Sequence, residues 1–337
     1  MLQRSDNRTM SDRAQLDALL KALEAAGRPS SMSLPRAEGL RNFTELAQWL
    51  AGPGSGQPGA DLKVTGAAGP VAVRVYQPAP SAGPRAAGRS RPPGGSAPAP
   101  PAVVFFHGGG WMFGGLDSHD TLCRELARQA GVVLIAVDYP LAPEHPYPAG
   151  LDNCMAVTCW VAENAHEVGA DGSRRAGAGD SSGASFAAGV AMLARDKGDF
   201  SVALQVLAYP ALDPAMSTSS YAANADDPFL SRSEMQTYWS AYLGGATADA
   251  IAAPGLAGDL TGLPPAYVLV AGRDVLHDEG VSYAERLRAA GVPATLRSQR
   301  EMVHGFLLCT GWLDTARDDV AELASFLRAG LGGIGSP

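Results

Sequence analysis

Two short motifs carry the residue types that could do chemistry. Gly179-Asp180-Ser181-Ser182-Gly183 has the form G-x-S-x-G, and His107-Gly108-Gly109-Gly110 runs directly into Trp111. With 40 glycines in 337 residues, chance alone supplies roughly a third of a G-x-S-x-G match but only about 0.01 of an H-G-G-G, so the second motif weighs more. A serine between small residues, on a sharp turn from strand to helix, is an exposed nucleophile held in strained backbone angles. A run of glycines lets backbone N–H groups approach a ligand with no side chain in the way. That suits a developing oxyanion, where one such donor contributes about 3–4 kcal/mol to the transition state. The Ser182 N–H, opening the helix after the nucleophile, adds a donor helped by the positive helix end.

A serine nucleophile needs a base, and on this kind of scaffold the order is serine, acid, histidine. Only His277 and His304 follow Ser181. His304 stands in REMVHGF, just past an expected strand, where a loop can hang it over a sheet. His277 stands in RDVLHDEG, too close to the candidate acids to be oriented by them across a gap. His304 is therefore the expected base. Asp274 directly follows an expected strand at 267–271, whereas Asp278 and Glu279 read as the first turn of a helix, where the dipole accounts for them. Asp274 is the expected acid, holding the imidazole tautomer and stabilising the imidazolium.

These side chains need a scaffold, and the hydrophobic rhythm indicates one. From residue 103 onward, expected strands at 103–107, 132–138, 176–178, 204–209, 267–271 and 295–298 alternate with expected helices near 121–130, 153–166, from 182, 283–290 and from 318. That alternation implies an α/β fold with a mostly parallel central sheet and helices on both faces, ligands gathering at the strands' carboxyl ends. Ahead of it come an amphipathic helix carrying Leu16, Leu19, Leu20 and Leu23, a second helical stretch near 43–50, and a hairpin-like pair turning at 66–70. Residues 78–101, rich in Pro, Ala, Gly, Ser and Arg, read as a long surface loop.

Composition narrows the field further. A net charge of −8 with no basic stripe argues against nucleic acid, and Arg85, Arg89 and Arg91 read as solvated loop residues. The N-terminal stretch lacks a signal peptide's apolar segment, and no run approaches the roughly 18 apolar residues of a membrane span. The expectation is a soluble, cytoplasmic chain that engages no membrane, with Met10 as eligible a start as Met1. The four cysteines lack C-x-x-C spacing and read as reduced thiols.

Together these stretches resemble the bacterial carboxylesterases of the hormone-sensitive-lipase-like branch of the α/β-hydrolases. The likeness rests on HGGGW at 107–111, DYPLAPEHPYPA at 138–149, GDSSG at 179–183, DVLHDEG at 274–280 and HGF at 304–306, and spans about residues 103–327. It implies Ser181 as nucleophile with Asp274 and His304 as partners, and Gly109, Gly110 and Ser182 as oxyanion donors. It also implies a small helical cap: an N-terminal segment 1–55 and an insertion 213–250, flanking a core built from 56–212 and 251–337. The activity it implies is hydrolysis of small short-acyl esters through an acyl-enzyme, without metal or organic cofactor; a homodimer is compatible with it. Two alternatives stay open: an amidase, carbamate or arylformamide hydrolase using the same three residues, or a non-catalytic receptor, whose marker, loss of the histidine, is missing here. Departures from the pattern are Ala184 where glycine is usual, Ser182 where alanine is common, and AGAG before the elbow where bulkier residues are typical.

Other residues carry two readings. Trp111 and Phe113 can shape the pocket wall. Trp239 belongs to a stripe with Met235, Tyr238 and Tyr242, on a helix started by a Ser231/Glu234 capping box; the stripe either faces substrate from the cap or, more commonly for such stripes, packs. Asp117, His119 and Asp120 are too few good ligands to imply a metal. His107 and Asp180 read as braces for their loops, and Glu144 and His145 as structural.

Overall fold

The computed structural model describes residues 10–78 and 98–332. Most of the expected loop at 78–101, with Arg85, Arg89 and Arg91, lies outside the described residues, as does Met1.

Helix α1 (Asp12–Ala26) begins where the Ser11 hydroxyl accepts the Ala14 N–H and ends at Gly27 in the left-handed region. Helix α2 (Arg36–Ala51) follows, then the antiparallel pair β1 (Ala60–Thr65) and β2 (Pro70–Tyr76). The alternating part is β3 (Pro101–Phe106), α3 (Asp120–Ala130), β4 (Val133–Val137), α4 (Ala149–Asn164), β5 (Asp171–Asp180), α5 (Ser182–Lys197) and β6 (Leu204–Ala208). Between β6 and β7 lie α6 (Ser219–Ala223) and α7 (Arg232–Leu243). The chain closes with β7 (Ala266–Arg273), α8 (His277–Ala289), β8 (Ala294–Val303) and α9 (Asp314–Gly332).

All eight strands form one sheet in the order β1-β2-β4-β3-β5-β6-β7-β8. Pairings of β1 with β2 and β2 with β4 are antiparallel; the rest are parallel. Every residue of β3, β4 and β6 is buried, which is what a parallel sheet covered on both faces demands and why PAVVFF and VLIAV are unbroken apolar runs. One core lies on the face of α4, α5 and α8, and the other on the face of α3 and α9. Helix α1 joins the second through buried Leu16 and Leu19, and Gln15 and Asp314 tie it to the start of α9.

Helices α2, α4 and α9 start earlier than the sequence reading placed them, α2 at Arg36 rather than near 43; three further elements differ for identifiable reasons. Strand β5 is ten residues long, its polar first half reaching Pro101 before a register shift. Strand β8 extends through Arg297 and Glu301 because it is the sheet's edge, where one side needs no burial. Helix α8 starts at His277, six residues before the expected start, with Asp278 and Glu279 in its first turn as the charge pattern implied. No helix among the described residues is long and apolar enough to cross a membrane.

Candidate active site

The nucleophile candidate sits on a turn that only small residues permit. Ser181 links β5 to α5 with φ 53° and ψ −122°, a region costing a non-glycine residue about 1–3 kcal/mol. Its N–H is held by Ala208 O at 2.8 Å, pinning the turn to β6. A Cβ at Gly183 would come within 2.0 Å of Phe106 O, so the first turn of α5 presses directly on the end of β3. A Cβ at Gly179 would come within 2.4 Å of the Gly183 carbonyl group. Strand and returning helix thus touch at Gly179, the motif's first glycine; at Gly177 the nearest neighbour of a Cβ is 3.9 Å away, so packing does not account for the rest of the AGAG departure.

Two further strand ends deliver the partners. His304 follows β8 directly and Asp274 follows β7. His304 Nε2 lies 2.9 Å from Ser181 Oγ, and His304 Nδ1 lies 2.7 Å from Asp274 Oδ2. The other Asp274 oxygen accepts the Leu276 N–H at 2.9 Å. Ser181, Asp274 and His304 are 8%, 1% and 9% exposed, so they meet out of bulk water yet within reach of it. Burial, the largest influence on His304, opposes its charged form. The charge and hydrogen bond of Asp274, with Asp180 and Asp227 beyond it, outweigh burial and raise the imidazole pKa above its ordinary value.

The glycine run is held by its carbonyls. His107 Nδ1 donates to Gly108 O at 2.8 Å, and the N–H groups of Met112 and Phe113 donate to Gly109 O at 3.1 and 2.8 Å. In a trans peptide the N–H points opposite the C=O. Fixing these two carbonyls therefore turns the Gly109 and Gly110 N–H groups the other way, and among the described residues neither has an acceptor. His107 can hold this post because burial, aided by the neighbouring His119 ring, drives its pKa down to about 3 and keeps it neutral. Gly110 has φ 61° and Tyr238 as its roof: a Cβ there would meet the Tyr238 ring at 2.4 Å. The third expected donor, Ser182 N–H, is among the unpaired amides opening α5.

The remaining residues sort by contact. Asp180 accepts the Gly108 N–H at 2.9 Å and faces His119 Nε2 at 3.1 Å, so it bridges the elbow and the glycine loop. Burial works against the Asp180 charge, but His119 and the Gly108 amide outweigh it and hold its pKa below the usual carboxylate value. His119 thus turns away from Asp117 and Asp120, which pair with Arg74. Among the described residues the His277 ring pairs with its neighbour Asp278, at 2.9 Å. Trp111, Phe113 and Trp239 are 1%, 2% and 2% exposed. Trp111 stacks on Tyr242 and tilts against Trp239, with ring centroids 4.3 and 4.4 Å apart. These rings form a packed wall behind the loop, and Tyr238 is the stripe residue that covers it.

Sequence reasoning passed over several supports. Asn224, at the end of α6, donates to Asp274 O at 3.1 Å, and Ser220 donates to Val275 O at 2.6 Å, latching this segment to the loop after β7. Buried Glu279 accepts the N–H groups of Leu212 and Asp213, and burial pushes its pKa well up. Arg36 grips Glu144 and two loop carbonyls. None has a local signature, since every partner is distant in sequence.

A family model described as alpha/beta hydrolase fold matches residues 103–308. Esterase LipI of Mycobacterium tuberculosis is 41% identical over 276 residues, covering 81% of this chain and 82% of that one. An ethyl acetate hydrolase of Pseudomonas putida is 32% identical over 333 residues, covering 96% of this chain and all of its own length (100%). Among solved structures, an ester hydrolase from the metagenome of Lake Arreo, complexed with a bipyridine phosphonate derivative, superposes with a TM-score of 0.85 at 35% identity, covering 96% of this chain and 99% of that one. The chain belongs to the α/β-hydrolase family.

Proposed function

We propose that this α/β-hydrolase is a carboxylic ester hydrolase acting on short-acyl esters through Ser181, His304 and Asp274. The observation that carries the reading is the 2.9 Å approach of His304 Nε2 to Ser181 Oγ, with Asp274 behind the ring at 2.7 Å. The names of the relatives, an esterase and an ethyl acetate hydrolase, point the same way.

In this account neutral His304 takes the Ser181 proton as Oγ attacks the ester carbonyl, and Asp274 steadies the imidazolium. The tetrahedral oxyanion rests on the N–H groups of Gly109, Gly110 and Ser182. His304 returns the proton to the departing alcohol. Water, deprotonated by the same ring, then attacks the acyl-enzyme, and Ser181 leaves with its proton restored. The preference for short acyl groups is supported by the likeness to an ethyl acetate hydrolase over 96% of this chain.

The test is a series of p-nitrophenyl esters from acetate to laurate, run on the wild type and Ser181→Ala. kcat/KM is expected to peak at acetate or butyrate, fall with longer chains, and vanish in the variant. A peak at octanoate or beyond would overturn the short-acyl assignment. Faster cleavage of acetanilide than of phenyl acetate would overturn the ester assignment.

A further inference from the structure

We propose that Arg36, on the N-terminal segment outside the alternating core, is a positioning residue for the Gly110 N–H; the proposal rests on the esterase reading above. It acts through a short chain of contacts. The Arg36 guanidinium donates to Met112 O and, at 3.0 Å, to Ala142 O. It is held flat by a two-point pair with Glu144, at 2.8 and 3.0 Å, and its carbon lies 5.4 Å from the Phe113 ring centroid. Phe113 is gripped from the same helix by Phe43, stacked at 5.7 Å. Gly39 lies beside the same ring: a Cβ there would press on Ser31 O and lie 3.2 Å from the Phe113 ring.

Met112 and Phe113 are the residues whose N–H groups hold Gly109 O. The Gly109–Gly110 peptide is one plane, so whatever fixes its carbonyl also aims its N–H. Arg36 therefore sets an oxyanion donor without touching substrate. A guanidinium suits the post because its planar fork can bind two carbonyls and a carboxylate at once. Lysine, a point charge with one nitrogen, cannot span them. A donor tilted off its line retains ground-state binding and loses transition-state binding, so the loss belongs in kcat.

The experiment uses the full chain with p-nitrophenyl acetate, comparing wild type, Arg36→Ala, Arg36→Lys and Ser181→Ala, with thermal midpoints recorded alongside. For Arg36→Ala, kcat is expected to fall about 10- to 100-fold with KM changing less than about threefold, short of the roughly 100- to 1,000-fold loss on deleting a donor. Millimolar methylguanidinium should restore at least about fivefold of that loss, and methylammonium at the same concentration should restore none, because only the former fits the two carbonyls. Arg36→Lys should lose kcat at an unchanged KM, and it serves as the test if Arg36→Ala does not fold. Wild-type kcat in both variants, a loss confined to KM, or a kcat loss that methylguanidinium leaves untouched would each overturn the proposal. The two readings fail differently. Activity surviving in Ser181→Ala removes the esterase reading and this proposal with it, whereas an inactive Ser181→Ala beside unimpaired Arg36 variants removes only the positioning role.

Discussion

Replacing Asp274 by Asn changes one atom in the site, and its effect can be worked out from two hydrogen bonds. In the native carboxylate one oxygen accepts the His304 Nδ1–H at 2.7 Å and the other accepts the Leu276 N–H at 2.9 Å. An amide has only one oxygen. If that oxygen stays on Leu276, the NH2 group faces His304 Nδ1, which must then carry its lone pair there and its proton on Nε2. An Nε2–H aimed at Ser181 Oγ cannot accept a proton, so the base is disabled. If the amide flips, the tautomer is right but the buried Leu276 N–H meets another donor. That costs about 1–3 kcal/mol and leaves roughly a tenth to a hundredth of the molecules competent. Those molecules also lack the carboxylate charge opposite the imidazolium. Together the losses amount to about 10³- to 10⁴-fold in kcat, the scale known for the same exchange in a serine protease. The assay is p-nitrophenyl acetate hydrolysis at pH 7, with circular dichroism to confirm the fold. Activity within tenfold of wild type would refute the assignment of Asp274 and the orientation argument with it.

Other expectations follow from the same geometry. Because His304 must be neutral to act and its pKa is raised, kcat/KM should climb with pH through a midpoint above about 6.5; a midpoint near 5.5 would contradict the Asp274 contact. His107 runs the other way: with its folded pKa near about 3, the unfolded chain takes up the proton first as pH falls. Its contribution is complete above about pH 6.5 and fades toward pH 3, amounting to about 5 kcal/mol. Urea titrations at pH 7 and pH 4 should show a smaller pH effect in His107→Asn, which keeps a donor near Gly108 O, than in wild type. Gly183→Ala puts a Cβ within 2.0 Å of Phe106 O and should cost more than about 3 kcal/mol or abolish soluble expression. Gly177→Ala, whose nearest neighbour is 3.9 Å away, should change the unfolding midpoint little.

What the sequence reveals of this molecule depends on how local each cause is. Strands β3 and β4 are legible because burial on both faces fills them with apolar residues; β6 reads almost as clearly, its one polar residue, buried Gln205, donating to Pro264 O. Helix α7 is legible because the Ser231/Glu234 capping box is written within four residues, and both of its bonds form. The three strand ends carrying Ser181, Asp274 and His304 are legible because each lies beside a marked strand. The apolar period places the start of helix α8 six residues late, because the polar residues of its first turn face the loop after β7 and the segment around α6, although the acidic pair Asp278 and Glu279 does mark that turn. Asp278, for instance, is spent on the Ser220 N–H at 2.9 Å. Arg36 and Glu144 stand 108 residues apart, and nothing in either neighbourhood marks them as a pair. His119 reads as one of three polar residues in a row of loop positions; only the fold turns it toward Asp180. The glycine run, by contrast, explains itself once its carbonyls are traced: with Gly108 O and Gly109 O held, the Gly109 and Gly110 amides turn to the opposite side.

The central claim is that Ser181 is the nucleophile, and covalent labelling tests it most directly. Incubation with a fluorophosphonate should add one label per chain, on the peptide carrying Ser181, with activity lost in step with labelling and no label in Ser181→Ala. A label on any other residue, or esterase activity that survives full labelling of Ser181, would contradict the account.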